Sequence, residues 1–351
     1  MKDINRRLLL LGSGALAAGT MFLVSRRANA TPVARVLETN VISQQPQLYH
    51  GWPTLTRREN GELLVVCSGG RESHVCPFGR VELMRSNDDG ATWSFPRVLL
   101  DGPIDDRDAG IVETANGSLL ATTFTSLAYV PLLPKAKNKV AWQAAHNRIS
   151  ESQRKAELGT WMIRSTDGGV TWSARYDCRV NSPHGPIQLS DGRLLYAGKE
   201  LWSDENRIGV CFSKDDGQTW SPLTAVPTRD GDDEKQYHEL HAVEAADGRI
   251  IVHVRNHNSN DAGETLQSES ADGGETWTKP QSIGVWGLPS FLLRLNDGRL
   301  LMSYGHRHQP YGNQARISSD HGRSWSEPLT ISADGAGGDL GYPTTQDDRI
   351  K

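Results

Sequence analysis

The chain has 351 residues with 38 basic and 42 acidic side chains, giving a formal net charge of −4 at pH 7. This charge does not favour nucleic acid as a partner, because phosphate backbones are bound by basic patches. No metal or cofactor site is predicted, since the four cysteines have neither a CxxC nor a zinc-type spacing. Cys67 and Cys76 could form a disulfide in an oxidising compartment, or the cysteines could be free buried thiols.

Residues 1–30 are predicted to be an export signal of the twin-arginine type. Arg6 and Arg7 precede an apolar run that ends at Val24, and Ala28-Asn29-Ala30 offers the small-residue pattern of a signal peptidase site. The alternative is an uncleaved membrane anchor, which the short run rich in Gly, Ala and Ser does not favour. We therefore expect a periplasmic or secreted protein with no stable membrane insertion after signal cleavage.

After the signal, one octapeptide with Ser first, Asp third, Gly fifth and Trp eighth occurs five times. The copies are Ser86–Trp93, Ser165–Trp172, Ser213–Trp220, Ser270–Trp277 and Ser318–Trp325. The Asp carboxylate can accept backbone N–H bonds within a tight turn, the Gly can adopt a positive φ, and the hydroxyl at the seventh position can bond back to the turn. We interpret these five aspartates as structural staples of hairpins and not as catalytic groups.

A second motif alternates with the octapeptide, namely two apolar strands joined by a predicted two-residue turn. These turns are Asn60-Gly61, Asn116-Gly117, Asp191-Gly192, Asp247-Gly248 and Asp297-Gly298. Together the motifs define a unit of four strands, a to d, in which the glycine turn joins a to b and the octapeptide joins c to d. Five units are complete and a sixth opens at Gly341. The repeat predicts an all-β fold for residues 31–351, a six-bladed β-propeller of four-stranded antiparallel blades whose sixth blade is incomplete. Residues 34–43 could supply its outer strand.

Residues 126–160 interrupt the repeat as an insertion between strands b and c of the second unit. A helix is predicted over residues 139–158, with Trp142, Ala145, Ile149 and Ala156 facing inward. Two interpretations stay open for this insertion, a surface decoration and a lid that shapes a substrate site.

Strand geometry predicts that the irregular loops share one end of the propeller, which we call the mouth. In an up-and-down meander the a–b and c–d turns lie at one end, while the d–a and b–c loops lie at the other. Hairpin stapling does not require the charged and aromatic residues of the mouth loops, so they are candidates for a site. Those placed ahead of a strands include His50, Asp106, Arg107, Asp108, His184, Glu239 and Tyr342, and those after b strands include Arg71, His74, Arg255 and Arg307.

The octapeptides resemble the Asp boxes of the sialidase superfamily, and the resemblance covers essentially the whole chain after residue 30. It implies that Tyr342, which opens the last unit, is the catalytic nucleophile. It also implies that Glu239, five residues before Glu244 and ahead of the Asp247-Gly248 turn, assists this tyrosine. Arg255 and Arg307 match arginines that bind the carboxylate of an acidic sugar in the family.

Two positions depart from the family pattern. Gly51 stands where the family has its first arginine, and the b–c loop of the first unit, residues 71–77, lacks the usual acid/base aspartate. Arg71 and Arg107 could complete an anion clamp in place of the lost arginine. The leaving-group proton could come from Glu72, His74, Asp106 or Asp108, and His50, His74 and His184 are further candidates for substrate contacts.

The predicted function is that of an exo-acting, retaining glycoside hydrolase that resembles sialidases and removes a terminal sialic acid or related acidic sugar from a glycan. A phenol suits this task because the substrate carboxylate would repel a carboxylate nucleophile. Phenol has a pKa of about 10, so it needs a neighbouring base. The alternatives are a hydrolase or lyase for another acidic glycan and a glycan-binding propeller without catalysis.

Overall fold

The computed structural model describes residues 32–347 and shows five four-stranded antiparallel sheets. In each sheet the four consecutive strands pair with their neighbours in the chain, as the alternation of the two hairpin motifs predicts. The sheets are the blades of a five-bladed β-propeller. The predicted export signal lies outside the described residues.

Each blade contributes four strands in chain order. Blade 1 contains β1 (Tyr49–Arg57), β2 (Leu63–Arg71), β3 (Arg80–Ser86) and β4 (Arg97–Leu100). Blade 2 contains β5 (Asp105–Glu113), β6 (Leu119–Ser126), β7 (Thr160–Ser165) and β8 (Tyr176–Asp177). Blade 3 contains β9 (Ile187–Gln188), β10 (Leu194–Lys199), β11 (Ile208–Ser213) and β12 (Thr224–Ala225). Blade 4 contains β13 (Tyr237–Glu244), β14 (Ile250–Asn256), β15 (Glu264–Ser270) and β16 (Gln281–Trp286). Blade 5 contains β17 (Ser290–Arg294), β18 (Leu300–His306), β19 (Gly312–Ser318) and β20 (Leu329–Thr330).

The prediction of six blades is wrong, because residues 32–347 form only five sheets. Residues 341–347, which the sequence assigned to a sixth blade, contain no strand. This segment instead bridges blades 1 and 5. Leu55 N donates a hydrogen bond to Thr344 Oγ1 at 3.0 Å, and Thr345 Oγ1 donates to Ser303 Oγ at 3.0 Å. A blade requires a continuous ladder of backbone hydrogen bonds to a neighbouring strand, and these isolated contacts do not supply one. Residues 34–43 also contain no strand.

Apolar side chains pack between successive blades and form the core. Between blades 3 and 4, for example, Leu195 and Val210 lie in one cluster with Val252 and Leu266. The other face of blade 1 is covered differently, since Val65, Cys67 and Met84 pack against Ile42 and Trp93. All four cysteines are free and buried, as the second of the two interpretations predicted, and Cys67 and Cys76 form no disulfide.

The a–b turns are longer than predicted. In the first blade, Gly61 N donates to Arg58 O at 2.9 Å and Arg58 N donates to Glu62 O at 2.8 Å. Gly61 has a φ of 91°, in the left-handed region that glycine adopts without a Cβ clash. This is the hydrogen-bond pattern of a three-residue hairpin loop closed by a left-handed glycine. The prediction of two-residue turns is therefore wrong, although the glycines mark the hairpins correctly.

The octapeptides form the predicted staples. In the first copy, Asp88 Oδ1 accepts from Thr92 N at 2.9 Å and Asp88 Oδ2 accepts from Thr92 Oγ1 at 2.6 Å. Ser86 Oγ donates to Asp88 Oδ1 at 2.8 Å and accepts from Gly90 N at 2.9 Å. The other four aspartates accept the equivalent bond from the hydroxyl four residues on, which confirms the structural interpretation of these aspartates.

The insertion in blade 2 contains short helices and not the single long helix predicted. It has a 3₁₀ helix, Val130–Lys135, followed by α1 (Lys139–His146) and α2 (Glu151–Ala156). Ser150 and Gln153 form a capping box, which starts a new helix at this point. Trp142 and Ala145 are buried as predicted, whereas Ala156 is exposed. A further 3₁₀ turn is Glu234–Gln236. Within residues 32–347, no helix has the length and apolarity needed to cross a membrane.

Candidate active site

Tyr342, Glu239 and Arg255 lie in direct contact at the mouth. Tyr342 Oη donates a hydrogen bond to Glu239 Oε1 at 2.9 Å. Arg255 Nη1 donates to both carboxylate oxygens of Glu239 at 2.8 Å and to Tyr342 Oη at 2.9 Å. The pairing of β13 with β14 shifts register between Tyr237 and Leu240, and Glu239 lies in this bulge beside Arg255. The fold thus joins a tyrosine, a carboxylate and a guanidinium that are far apart in the sequence.

The ion pair sets the protonation of this triad. Burial, the largest single influence, disfavours ionisation of Glu239, but the charges of Arg255 and His238 and the hydrogen bonds to the carboxylate together outweigh it and lower the pKa of Glu239 to about 2. Burial, together with the charge of Glu239, raises the pKa of Tyr342 well above its usual value of 10. At neutral pH the triad therefore contains a carboxylate that accepts the proton of a neutral phenol. The side chains of Arg255 and Glu239 are 13% and 19% exposed, so solvent reaches the pair.

Arg307 and Arg107 add positive charge around the triad. The guanidinium of Arg307 lies 5.8 Å from the ring centroid of Tyr342, and its buried Nε has no hydrogen-bond partner among residues 32–347. The guanidinium of Arg107 lies 4.5 Å from the Trp52 ring, and its Nε is likewise buried without a partner in the described chain. The Asp105 carboxylate approaches Arg107 only to 4.0 Å. Both guanidiniums can therefore bind an anion, and a carboxylate best matches their forked donors.

Arg71, predicted to bind substrate, is fully buried. Its Nη1 and Nη2 donate to the two carboxylate oxygens of Asp105 at 2.7 and 3.0 Å, and Nη2 also donates to the carbonyl of His74 at 3.0 Å. Its guanidinium lies 5.0 Å from the Trp52 ring. Arg71 thus links β2 to β5 and supports Trp52, and its buried donors do not face solvent at the mouth.

The two candidate acids have different surroundings. Asp106 Oδ2 accepts from Gly102 N at 2.6 Å, and burial raises the pKa of Asp106 to about 7. Asp108 has a φ of 47° and follows Arg107 where β5 shifts register. Burial also raises the pKa of Asp108 to about 7; Arg107 opposes this shift and Glu239 adds to it. Asp108 is therefore a carboxyl group close to the triad that can hold a proton near neutral pH.

His184 lies beneath the triad and not in the mouth. Its ring centroid is 6.5 Å from that of Tyr342, it is 2% exposed, and both ring nitrogens lack a hydrogen-bond partner within residues 32–347. Burial lowers the pKa of His184 to about 3, so the ring is neutral at physiological pH. It also lines a cavity of about 300 Å³ together with His241 and Phe291.

The other two candidate histidines have different partners in blade 1. His74 Nδ1 is 3.2 Å from Tyr49 Oη, and its ring lies edge-on to Trp52 with centroids 5.0 Å apart. His50 Nε2 instead lies 3.5 Å from Glu82 Oε2, on β3. His50 also lines a cavity of about 390 Å³ together with Trp52 and Tyr342, so the structure brings both histidines near Trp52. No set of three or more His, Cys, Asp or Glu side chains in residues 32–347 is placed to hold a metal ion.

Sequence analysis did not assign Trp52 and His257 to the site. Trp52 is 3% exposed, has a φ of 53°, and lies edge-on to Tyr342 with ring centroids 6.2 Å apart. His257 Nε2 accepts a hydrogen bond from Arg255 Nε at 2.9 Å. Two signals could have found them. Trp52 adjoins Gly51, the position of the lost arginine, and His257 follows Arg255 by two residues, which places both side chains on one side of an extended chain.

The insertion packs against the b–c loop of blade 1. Trp142 Nε1 donates to Glu72 Oε2 at 2.8 Å, and Trp142 clusters with Cys76, Tyr129 and Leu133. Glu72, one of the candidate proton donors, is thus bound to the insertion. The insertion supports the loop that carries His74, which makes it part of the wall behind the mouth.

Comparison with known proteins agrees with this architecture. Residues 136–349 match the BNR repeat-like domain. A sialidase of Bacteroides fragilis is 27% identical over 321 residues, which cover 83% of this chain and 56% of that protein. A sialidase of Paraclostridium sordellii is 24% identical over 252 residues, which cover 65% of this chain and 57% of that protein. The chain therefore spans little more than half the length of these relatives.

Two solved structures share the fold. A Dyadobacter fermentans protein of unknown function superposes with a TM-score of 0.69 at 23% identity, covering 88% of this chain and 90% of that one. The Hadza microbial sialidase Hz136 gives a TM-score of 0.60 at 20% identity, covering 81% of this chain and 59% of that one. The domain match spans more than half of the present sequence. This chain belongs to the BNR repeat-like domain family.

Proposed function

We propose that the chain is an exo-acting, retaining glycoside hydrolase that releases a terminal sialic acid or a related acidic sugar from a glycan. The observation that carries the proposal is the contact of Tyr342 Oη with Glu239 and Arg255, at 2.9 Å in each case. A tyrosine between a carboxylate and a guanidinium can give its proton to the carboxylate, while the guanidinium stabilises the negative charge on the phenol oxygen in the same step. The sequence similarity to sialidases supports the same reaction class.

In the first half-reaction, Tyr342 Oη forms a bond to the anomeric carbon while its proton passes to Glu239. The bond to the leaving oxygen breaks, and Asp108 gives that oxygen its proton. In the second half-reaction, the ionised Asp108 takes a proton from the attacking water, the bond to Tyr342 Oη breaks, and Glu239 returns the proton to the tyrosine. The pKa of Asp108, raised by burial to about 7, suits a group that alternates between acid and base near neutral pH.

An acidic substrate is favoured by the charge of the mouth. Arg71 pairs with Asp105 and Arg255 pairs with Glu239, whereas Arg107 and Arg307 have no carboxylate within 3.5 Å among residues 32–347. We propose that Arg107 and Arg307 bind the substrate carboxylate. Arg255 would donate a further hydrogen bond to this carboxylate from its Nη2, which has no protein acceptor in the described chain.

The test is Tyr342→Phe in the full chain, assayed for release of sialic acid from a fluorogenic sialoside. We expect kcat to fall on the order of 10³-fold or more, since the variant lacks the nucleophile, while the glycoside still binds. Tyr176→Phe is the matched control, because the Tyr176 hydroxyl donates to Gly217 O in the turn region of the next blade and away from the mouth. Unchanged turnover by Tyr342→Phe would remove the proposed nucleophile.

A second candidate is a hydrolase or lyase that acts on another acidic glycan. One difference at the mouth favours this candidate. Gly51 stands where the sialidase family has an arginine, and the neighbouring Trp52 packs beside Tyr342. A wild type that leaves sialosides intact but cleaves uronic-acid glycans would select this candidate. Export through the twin-arginine route remains our proposal for its location, and rests on residues 1–30.

A further inference from the structure

Trp202 is a half-exposed tryptophan on the loop between β10 and β11, one of the b–c loops that surround the mouth. Its side chain is 50% exposed, and its φ of 64° lies in the left-handed region. A bulky residue rarely adopts this backbone conformation, and such residues cluster at functional sites, where the surrounding structure holds them.

The loop around Trp202 is braced by hydrogen bonds. Ser203 Oγ donates to Glu200 O at 3.2 Å and accepts from Asn206 N at 3.0 Å. Arg207 Nε pairs with Glu200 Oε2 at 2.9 Å. The indole is therefore presented to solvent by an ordered turn, and its exposure is a property of the loop conformation.

Phe124 connects Trp202 to the site. The two ring centroids are 6.5 Å apart with the planes inclined at 45°. Phe124 lies on β6 directly opposite Arg107 on β5. Residues directly opposite in an antiparallel pair have their side chains on the same face of the sheet, so Phe124 and Arg107 are neighbours. The two aromatic rings thus lead from the rim of the mouth to Arg107 and the adjacent Asp108.

We propose that Phe124 and Trp202 form a binding platform for the first neutral sugar ring of the leaving group. This inference rests on the proposed function, because it uses the position of the general acid. An acid that protonates the glycosidic oxygen must lie next to it, so the leaving sugar is on the Asp108 side of the bond. The apolar C–H face of a sugar ring packs on the electron-rich face of an aromatic side chain, and Trp202 offers such a face to solvent.

Trp286, the aromatic residue on the opposite rim, is less suited to this role. His308 stacks on the Trp286 ring with the planes inclined at 19°, so one indole face is covered within the protein. Trp286 also lies on the blade that precedes Arg307, away from Asp108. The platform is therefore assigned to the rim formed by blades 2 and 3.

The test compares two substrates with the same acidic sugar, one carrying lactose and one carrying a methyl group as the leaving group. In Trp202→Ala we expect kcat/KM for the lactose conjugate to fall roughly 3- to 10-fold, while kcat/KM for the methyl glycoside stays within about 2-fold. Phe124→Leu should act in the same direction. Phe95→Ala is the matched control, since Phe95 is 61% exposed and follows an octapeptide at the other end of the propeller. Equal changes on both substrates, or none, would overturn the platform.

Failure of the proposed function gives a different result. If the wild type hydrolyses neither substrate, the hydrolase assignment falls, and the platform is judged by binding alone. Lactose at millimolar concentration should then quench the tryptophan fluorescence of the wild type and of Phe95→Ala, but not that of Trp202→Ala. Equal quenching in all three proteins would overturn the platform on its own evidence.

Discussion

Aspartate has opposite properties at the two ends of the propeller. At the turn end, Asp215 accepts hydrogen bonds from Thr219 N, Thr219 Oγ1 and Ser213 Oγ, and these bonds outweigh burial and lower its pKa. At the mouth, burial raises the pKa of Asp106 and Asp108 to about 7. The same side chain is thus a satisfied anion in a repeated hairpin and a carboxyl group that can keep its proton near neutral pH at the start of β5.

The difference lies in how each end satisfies its polar groups. An octapeptide supplies the donors for its own aspartate within seven residues, although Trp172 Nε1, Trp220 Nε1 and His321 Nδ1 in three of the copies are buried without partners in the described chain. At the mouth, Asp106 Oδ1 and the Nε atoms of Arg107 and Arg307 are buried without partners in the described chain. Buried polar groups are normally paired, and unpaired ones concentrate where a ligand or a proton is expected. Changes at the triad and at Asp108 should therefore alter chemistry, while changes at the turns and at Asp106 should alter stability.

The largest expected effect is that of Asp108→Asn. Loss of the proton donor should lower kcat roughly 10²- to 10⁴-fold on an alkyl glycoside, with a smaller loss on an aryl glycoside whose leaving group needs less protonation. In the wild type the protonated form is needed, so activity should decline as the pH rises through about 7. The alkaline limb of the pH–rate profile should disappear in the variant.

Asp106→Asn is the matched control for this measurement. Asp106 has a similarly raised pKa but bonds to Gly102 N, so its replacement should leave kcat within a few-fold of the wild type. An equal loss in both variants would show that the acid was assigned to the wrong aspartate, or that β5 as a whole had been disturbed.

The next prediction concerns the free energy of unfolding. The change of this free energy with pH should have opposite signs for aspartates at the two ends of the propeller. A folded-state pKa of about 7 for Asp106, against a usual value of 3.8, means that the native state binds the proton more tightly than the unfolded chain. Its contribution to stability is therefore fully present below about pH 3.8 and is lost as the pH rises toward 7. Asp106→Asn should be more stable than the wild type at pH 8, by an amount on the order of a few kcal/mol, and this gain should shrink toward pH 5. Urea unfolding at both pH values measures the difference, and a pH-independent difference would contradict the raised pKa.

A smaller effect is expected at His257, which accepts the Nε–H of Arg255. His257→Leu should raise KM for the acidic substrate roughly 5- to 10-fold with little change in kcat, because Arg255 loses an acceptor that orients it. His257→Gln should restore KM, since its amide oxygen can accept the same bond. A change in kcat alone, with KM unaltered in both variants, would mean that His257 does not orient the arginine for binding.

The same bond predicts an acid limb in KM. Burial and the charge of Arg255 lower the pKa of His257 below 6.5, so it is neutral at physiological pH and can accept the bond. Protonation at lower pH removes the acceptor and places a cation beside Arg255. KM should therefore rise as the pH falls well below 6.5 in the wild type, and this rise should be absent in His257→Gln.

Sequence patterns predict the parts of this molecule that are determined locally. The staple at Asp88 and the turn at Gly61 each form within a few residues, so residue type and spacing predict where they occur, although the loop at Gly61 has three residues and not the predicted two. The blade count depends on whether residues 341–347 find a partner strand, which is a long-range property. The six-bladed prediction failed there, although the four-stranded unit itself was predicted correctly.

The candidate site shows the same division. Strand alternation already indicates that Tyr342, Glu239 and Arg255 share one end of the propeller, whereas the pairing of Tyr342 with Glu239 was implied only by the family resemblance. The environment of Arg71 does not follow, because its partner Asp105 belongs to the next blade and their pairing depends on how two blades pack. The left-handed conformation of Trp52 could not be predicted from the sequence either, since its ring packs against Arg71 and Arg107, and Arg107 belongs to the next blade.

The smallest expected effect is that of removing one staple. Asp215→Ala deletes three hydrogen bonds at an exposed turn, so we expect a loss of about 1 kcal/mol and a Tm lower by roughly 2–4 °C, with kcat and KM unchanged. Asp230→Ala is the matched control, because Asp230 is an exposed acid that pairs only with Lys279 in the described chain. The pKa of Asp215 is lowered in the folded state, so its contribution is present above its usual pKa of 3.8 and is lost as the pH falls through the lower value. As the pH falls, the unfolding free energy of the wild type minus that of Asp215→Ala should therefore decrease from a positive value toward zero. The same difference for Asp106→Asn should increase from a negative value toward zero. If both signed differences changed in the same direction with pH, the aspartates at the two ends would not differ in the way their contacts indicate.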